Sequence, residues 1–161
     1  MPVKLSDNFT LKEMCKSSTA VRLGIDNTPS EQNILALKSL CVGVLQPART
    51  ELGRISVNCG YRSPELCTAV GSNSRSNHAF GFAGDVEADD EGVSNFDLLL
   101  WIYENCEFKE LIAEYFDSED EDAGWVHVAH QAGNNMGVLK LKDKDHNYTV
   151  VSIDYLKELY S

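Results

Sequence analysis

Long apolar runs are missing from this sequence: no stretch approaches the roughly 20 residues that a transmembrane helix needs. Paired cysteines are missing as well. Cys15, Cys41, Cys59, Cys67 and Cys106 are odd in number and widely spaced, and no Cys-x-x-Cys occurs. That argues against a disulfide framework and against a thiolate zinc site. Cys41 and Cys59 sit among apolar positions, where free cysteine reads as a small core hydrophobe. A cysteine nucleophile would need a paired base, and nothing singles one out. Basic residues are scarce: 14 Lys and Arg stand against 25 Asp and Glu, a net charge of −11. This disfavours non-specific binding to nucleic acid or anionic membrane. The acidic runs 87–91 and 117–122 lack the ligand-and-glycine pattern of an EF-hand loop and read as solvated loops. There is no internal repeat, no linker and no heptad pattern.

What is present suits one domain spanning 1–161, with 43% hydrophobic and 24% charged residues. Thr10 and Glu13 form a capping box for a helix over 11–17. Residues 19–27 read as a loop with room for a helical turn. Thr28-Pro29-Ser30-Glu31 reads as a second capping box, with Pro29 in the first helical position. Ile34, Leu37, Leu40, Cys41, Val44 and Leu45 then mark one buried helix face, running to about Leu52 with a kink at Pro47. Further on, the pattern predicts a strand at 55–59, a helix at 65–70, a polar loop at 71–77, a strand at 83–88 and a helix at 94–104. Strands follow at 108–116, 124–130, 138–142 and 148–151, then a helix over 154–160 capped by Asp154. The order implies an α+β fold, a central antiparallel sheet with flanking helices.

The chemistry gathers around Ser76-Asn77-His78-Ala79-Phe80-Gly81-Phe82-Ala83-Gly84-Asp85. One imidazole and one carboxylate flank a turn of small residues, and a second imidazole follows in Trp125-Val126-His127-Val128. Alternation puts Asp85 and Glu87 on one strand face, and Trp125, His127 and Ala129 on one face of another. Adjacent strands would set His127 beside Asp85. Two His and one Asp make a three-ligand set of the kind that leaves a fourth position open on zinc. Taken singly, His78 reads equally as a surface loop residue and His127 as a satisfied core histidine.

His78-x-x-Gly81-x-Ala83-x-Asp85 followed by Trp125-Val126-His127 resembles the zinc D-alanyl-D-alanine carboxypeptidase family. That family includes phage and bacterial peptidoglycan peptidases and shares its fold with the hedgehog signalling domain. The likeness extends over Asn8 to Glu13, Gly24 to Pro29, Leu45 to Arg49 and Ser56 to Ser63, so about 5–130 looks family-like, with a C-terminal hairpin and helix at about 131–161. It implies Zn2+ held by His78, Asp85 and His127. It also implies an oxyanion-stabilising arginine, Arg62, in a motif like Gly60-Tyr61-Arg62-Ser63. An arginine remains charged at any working pH and offers a planar set of donors; read alone, Arg62 is more readily a surface ion-pair partner, and the resemblance reverses that.

One departure concerns the general base. Better-known members carry a His two residues before the last zinc His, or an acid three before it. Here those slots hold Trp125 and Gly124. Glu114, a carboxylate inside an apolar strand, is the candidate in their place if its strand pairs with that of His127. Asp122 is the rival, and His130 is discounted because alternation turns it away. The implied activity is hydrolysis of peptidoglycan stem or cross-link peptides, as carboxypeptidase or endopeptidase, by an endolysin-like enzyme. An acidic cleft rim would favour the free amine of the diamino acid. Residues 1–6 carry no signal-like apolar segment, so the expectation is cytoplasmic synthesis and action on the wall after release or as a phage component. Two other readings stay open: a non-catalytic, metal-stabilised binding or phage structural protein, and a hydrolase of another amide or small dipeptide.

Overall fold

Polar caps and turn glycines, more than apolar periodicity, set where the elements begin and end. The computed structural model describes residues 3–161. In α1 (Leu11–Cys15) the Thr10 hydroxyl accepts from the Glu13 amide at 3.2 Å. The reciprocal half of that box is absent, since Glu13 Oε1 is buried without a partner. A second helix, α2 (Ser18–Leu23), fills the first part of the stretch expected to be a loop with room for a helical turn. Ser17 caps it through the Ala20 amide and Gly24 closes it in the left-handed region. Only Ala20 is buried in it, so no apolar stripe announces the helix. The next helix, α3 (Glu31–Leu40), starts two residues later than Thr28 suggests. Its cap is Ser30, which accepts from the Asn33 amide, and Pro29 lies outside.

The expected kink at Pro47 takes another form. A π-turn, Cys41–Leu45, precedes α4 (Gln46–Leu52), and the Gln46 amide bonds to the Cys41 carbonyl. Widening the helix before the proline accommodates its missing N–H. Leu37, Leu40, Cys41, Val44, Leu45 and Ala48 all remain fully buried on one face through the turn. Each such large aliphatic side chain contributes roughly 1.5–3 kcal/mol of burial. After β1 (Ile55–Cys59) and α5 (Pro64–Ala69) come a 3-10 turn (Asn77–Phe80) and β2 (Ala83–Ala88). A complete capping box of Ser94 and Asp97 opens α6 (Asn95–Asn105). Strands β3 (Glu110–Glu114), β4 (Trp125–Ala129), β5 (Val138–Lys142) and β6 (Tyr148–Val150) follow. The last helix, α7 (Ile153–Tyr160), is capped by Ser152, and Asp154 sits in its first turn.

The strands form one sheet in the order β1-β2-β4-β3-β5-β6. Pairing is antiparallel except between β3 and β5, so the sheet is mixed where an antiparallel one was expected. The reason is topological. β4 runs back along β3 and ends beside its start, and the chain then rounds that end to join β3 on its other side. Gly137 and Val138 amides bond to the Phe108 and Lys109 carbonyls at this corner. No crossover helix is needed.

Register divides the sheet into two unlike faces. Val86, Val126, Val128, Leu111, Ala113 and Leu139 face the core, with Leu40, Leu45, Leu99, Ile102 and Leu156 in the same cluster. On the other face Cys59 stands opposite Asp85, Asp85 opposite His127, and His127 opposite Ile112. Residues directly opposite in a ladder share a face, and so do residues two apart along a strand. Glu110, Glu114, Lys140 and Lys142 therefore stand on this polar face too.

Candidate metal centre

His78 reaches the polar face from the 3-10 turn, and Gly81 makes that turn possible. Gly81 has φ 76°, and a Cβ there would lie 2.5 Å from the Asn33 carbonyl oxygen. The buried His78 ring is oriented by Gly60, whose carbonyl oxygen lies 2.7 Å from Nδ1. A carbonyl can only accept, so Nδ1 carries the proton and donates it. The Nε2 lone pair is then free and stands 3.4 Å from Asp85 Oδ2. Asp85 Oδ1 lies 2.9 Å from His127 Nδ1, the two residues being direct partners across β2 and β4.

These atoms can be tested against zinc. Two ligands about 2.1 Å from a tetrahedral ion stand about 3.4 Å apart. His78 Nε2 and Asp85 Oδ2 are at that spacing, and the Asp85–His127 pair is about half an ångström closer. The donor set, two imidazoles and one carboxylate, with His78 held by a backbone acceptor on its far nitrogen, suits the ion in kind. In spacing, Asp85 is shared between two trios whose ligating atoms lie within 4.8 Å of one another, Cys59–His78–Asp85 and Asp85–Glu114–His127, and among the described residues no such trio holds both imidazoles.

Without an ion, protons take up the same electrostatics. Burial alone would lower both imidazoles, but the Asp85 carboxylate outweighs it and lifts His78 to about 9. Against the same burial effect, Asp85 and Glu110 lift His127 to about 10. Burial would raise Asp85, and the two imidazoles instead hold it far below the usual carboxylate range.

Two glutamates complete the cluster. The β3–β4 hairpin brings Glu114 to the polar face opposite Trp125, where it is buried, with a carboxylate oxygen within 4.8 Å of ligating atoms of Asp85 and His127. Burial, and after it the Asp85 charge, hold Glu114 above the ordinary glutamate value. Glu110, not singled out from the sequence, lies with Oε1 3.3 Å from His127 Nε2 and Oε2 2.6 Å from Lys140 Nζ. The His127 imidazole and the Lys140 ammonium hold it down at about 2, against the opposing effect of burial. Alternation along β3 was the signal for it: residue 110 shares the face of 114. Cys59 was read as core, yet its Sγ lies 3.9 Å from His78 Nδ1 on the polar face. Cys41 is indeed buried, and burial pushes its thiol up to about 12, so it is no nucleophile.

Arg62 borders the same cleft of about 620 Å³ as His78, Asp85, Glu114 and His127. Its amide donates to the His78 carbonyl at 3.2 Å. Its Nε is buried with no acceptor, and its guanidinium forms no ion pair among the described residues. The structure does not bring Asp122 to the cluster; it lines a separate acidic hollow with Asp89, Asp90, Glu91 and Glu121. His130 lies on the helix side, with Nδ1 2.8 Å from the Glu107 carbonyl and Nε2 3.1 Å from Ser39 Oγ.

The sequence pattern of the family described as peptidase M15 matches residues 7–129, which take in Cys59, Arg62, His78, Asp85, Glu110, Glu114 and His127. The chain belongs to the peptidase M15 family. That family is one of zinc-dependent metallopeptidases. No curated protein matches the sequence significantly. Among the described residues no helix is long and apolar enough to cross a membrane. Within the M15 pattern, position 124 shows why the base cannot occupy the slot three before His127. Gly124 has φ 70°, and a Cβ there would stand 2.1 Å from the Glu114 carbonyl oxygen. No acidic side chain fits at that position in this backbone.

Proposed function

We propose that this M15 chain, read as one domain over 1–161, is a zinc-dependent peptidase that hydrolyses peptide bonds in peptidoglycan stem or cross-link peptides, as a D-Ala-D-Ala carboxypeptidase or endopeptidase. The observation that carries the reading is the convergence of His78, Asp85 and His127 beside a buried Glu114, in one cleft that Arg62 also borders. His78 Nε2, an Asp85 oxygen and His127 Nδ1 would hold Zn2+, which when bound lowers the pKa of a water and polarises a carbonyl. The Gly60 carbonyl fixes the His78 ring, and Glu110 stands 3.3 Å from His127 Nε2, an ion-pair separation without a hydrogen bond. Glu114 takes the proton of the attacking water and delivers it to the leaving amine. A pKa raised above the ordinary carboxylate value favours the return of the proton to the leaving group. Arg62 supplies fixed positive charge to the oxygen that becomes negative as the carbonyl is attacked.

A second reading, a metal-stabilised binding or phage structural protein without turnover, draws support from the absence of an acid or His at 124 and 125. The test is metal content of the wild type and His127→Ala, measured beside release of free amines from purified peptidoglycan. About one zinc per chain, lost in the variant, with amine release from the wild type only, is expected. Zinc without amine release would favour the second reading, and no zinc in either protein would sink both.

A further inference from the structure

Arg62 belongs to two hollows. Besides the cleft of the metal cluster, it borders a groove of about 900 Å³ that runs along α1 and α2. Lys12 and Lys16, one helical turn apart, also line this groove. Both are exposed, and neither forms an ion pair among the described residues. No Asp or Glu lines the groove among the described residues, in a chain that carries 25 of them. The hollow around Asp89 and Asp122 has the opposite sign.

Asn27 ties the groove to the cluster. Its side-chain amide donates to the Cys15 carbonyl at 2.9 Å and the Tyr61 carbonyl at 3.1 Å, and its oxygen accepts from the Ser63 amide at 2.7 Å. The loop that carries Arg62 is thereby pinned against the end of α1 that carries Lys16. A local patch of unpaired cations on an acidic molecule concentrates anions at that patch and repels them elsewhere. Val21, Ile25 and Val70 offer apolar contact along the same groove, while the Asn58 amide that lines it is spent on the Glu87 carboxylate at 2.8 Å.

From this arrangement we infer that the Lys12–Lys16–Arg62 groove is a substrate subsite for a peptide arm bearing a free carboxylate, entered from the cleft at Arg62. It rests on the peptidase reading for the word substrate. The groove selects for an anionic side chain next to the segment being cut, the opposite preference from the one an acidic rim would impose.

The probe is a pair of synthetic pentapeptides ending in D-Ala-D-Ala, identical except that one glutamyl residue carries a free carboxylate in one and a primary carboxamide in the other. Binding is measured by calorimetry at low salt on the zinc-loaded Glu114→Gln chain, which reads recognition without turnover. The carboxylate peptide is expected to bind about tenfold more tightly. Adding Lys12→Gln and Lys16→Gln should erase that difference and leave the carboxamide affinity unchanged, while Lys38→Gln and Lys157→Gln change neither. Wild-type kcat/KM should show the same preference. Equal affinities, no binding of either peptide, or a preference that survives the double substitution would overturn the subsite. Failure of the peptidase reading looks different: the preference in binding persists, yet the wild type releases no amine from either peptide.

Discussion

Replacing Glu114 by Gln removes one ionisable oxygen and almost no volume, so it isolates the proton-transfer role proposed for this residue. A positioned acid–base group contributes about 10²- to 10⁴-fold to rate. At about 1.4 kcal/mol per factor of ten, its loss raises the barrier by roughly 3–5.5 kcal/mol. Glu114→Gln should therefore lower kcat by that range, with zinc content unchanged because His78, Asp85 and His127 are intact. The pH profile gives an independent reading. Burial and Asp85 hold Glu114 above its ordinary 4.5, and the base must be ionised to accept a proton. Wild-type kcat/KM should rise through an acid limb above pH 4.5, and that limb should vanish in the residual activity of the variant. Stability has the opposite sign. The folded state holds this proton more tightly than the unfolded chain does, so folding loses stability as pH climbs from 4.5 through the raised value. The glutamine variant escapes that loss. Amine-release kinetics, metal analysis and denaturation at several pH values read all three. A variant within threefold of wild-type kcat would place the base elsewhere. Loss of zinc would make Glu114 a ligand instead.

Three further outcomes follow from the same geometry. In chelator-treated protein, His78 at about 9 and His127 at about 10 lie above their ordinary 6.5. The stabilisation they supply is full below pH 6.5 and lost as pH rises to 10, so the Tm of metal-free protein should fall across that window. Gly124→Ala combines a left-handed backbone with a Cβ 2.1 Å from the Glu114 carbonyl oxygen. It should cost at least about 2 kcal/mol in urea denaturation, and an unchanged midpoint would contradict the placement. Asn27→Ala deletes three hydrogen bonds around the Arg62 loop. It should cost about 1–3 kcal/mol of stability and lower kcat more than it raises KM, whereas a pure KM effect would detach Asn27 from the positioning of Arg62.

The polar set was partly legible because strand alternation is a local property. Asp85, Glu114 and His127 each sit at a position whose face can be counted along its own strand. Glu110 was countable in the same way, two residues before Ile112, but its approach to His127 depends on the β3–β4 register, which no single strand encodes. Cys59 was misread for a different reason. The β1–β2 register shifts between Val57 and Cys59, and such a bulge turns the bulged strand so that Cys59 faces Asp85. Counting by twos cannot see a bulge. The parallel β3–β5 pair was hidden because alternation specifies faces and says nothing of neighbours. The helix at Ser18–Leu23 was hidden because Val21 is 84% exposed and no apolar stripe marks it; only Ser17 and Gly24 betray its ends.

The direct opposition of Asp85 and His127 has a consequence for how the protein matures. A slip of one residue between β2 and β4 would turn Gly84 or Val86 to the polar face and bury the carboxylate among aliphatic side chains. Such a chain has no trio of donors to offer. Any ion those donors hold therefore acts as a proofreader of strand pairing: it rewards the one register in which an aspartate meets a histidine, and leaves mispaired sheets without that reward during folding.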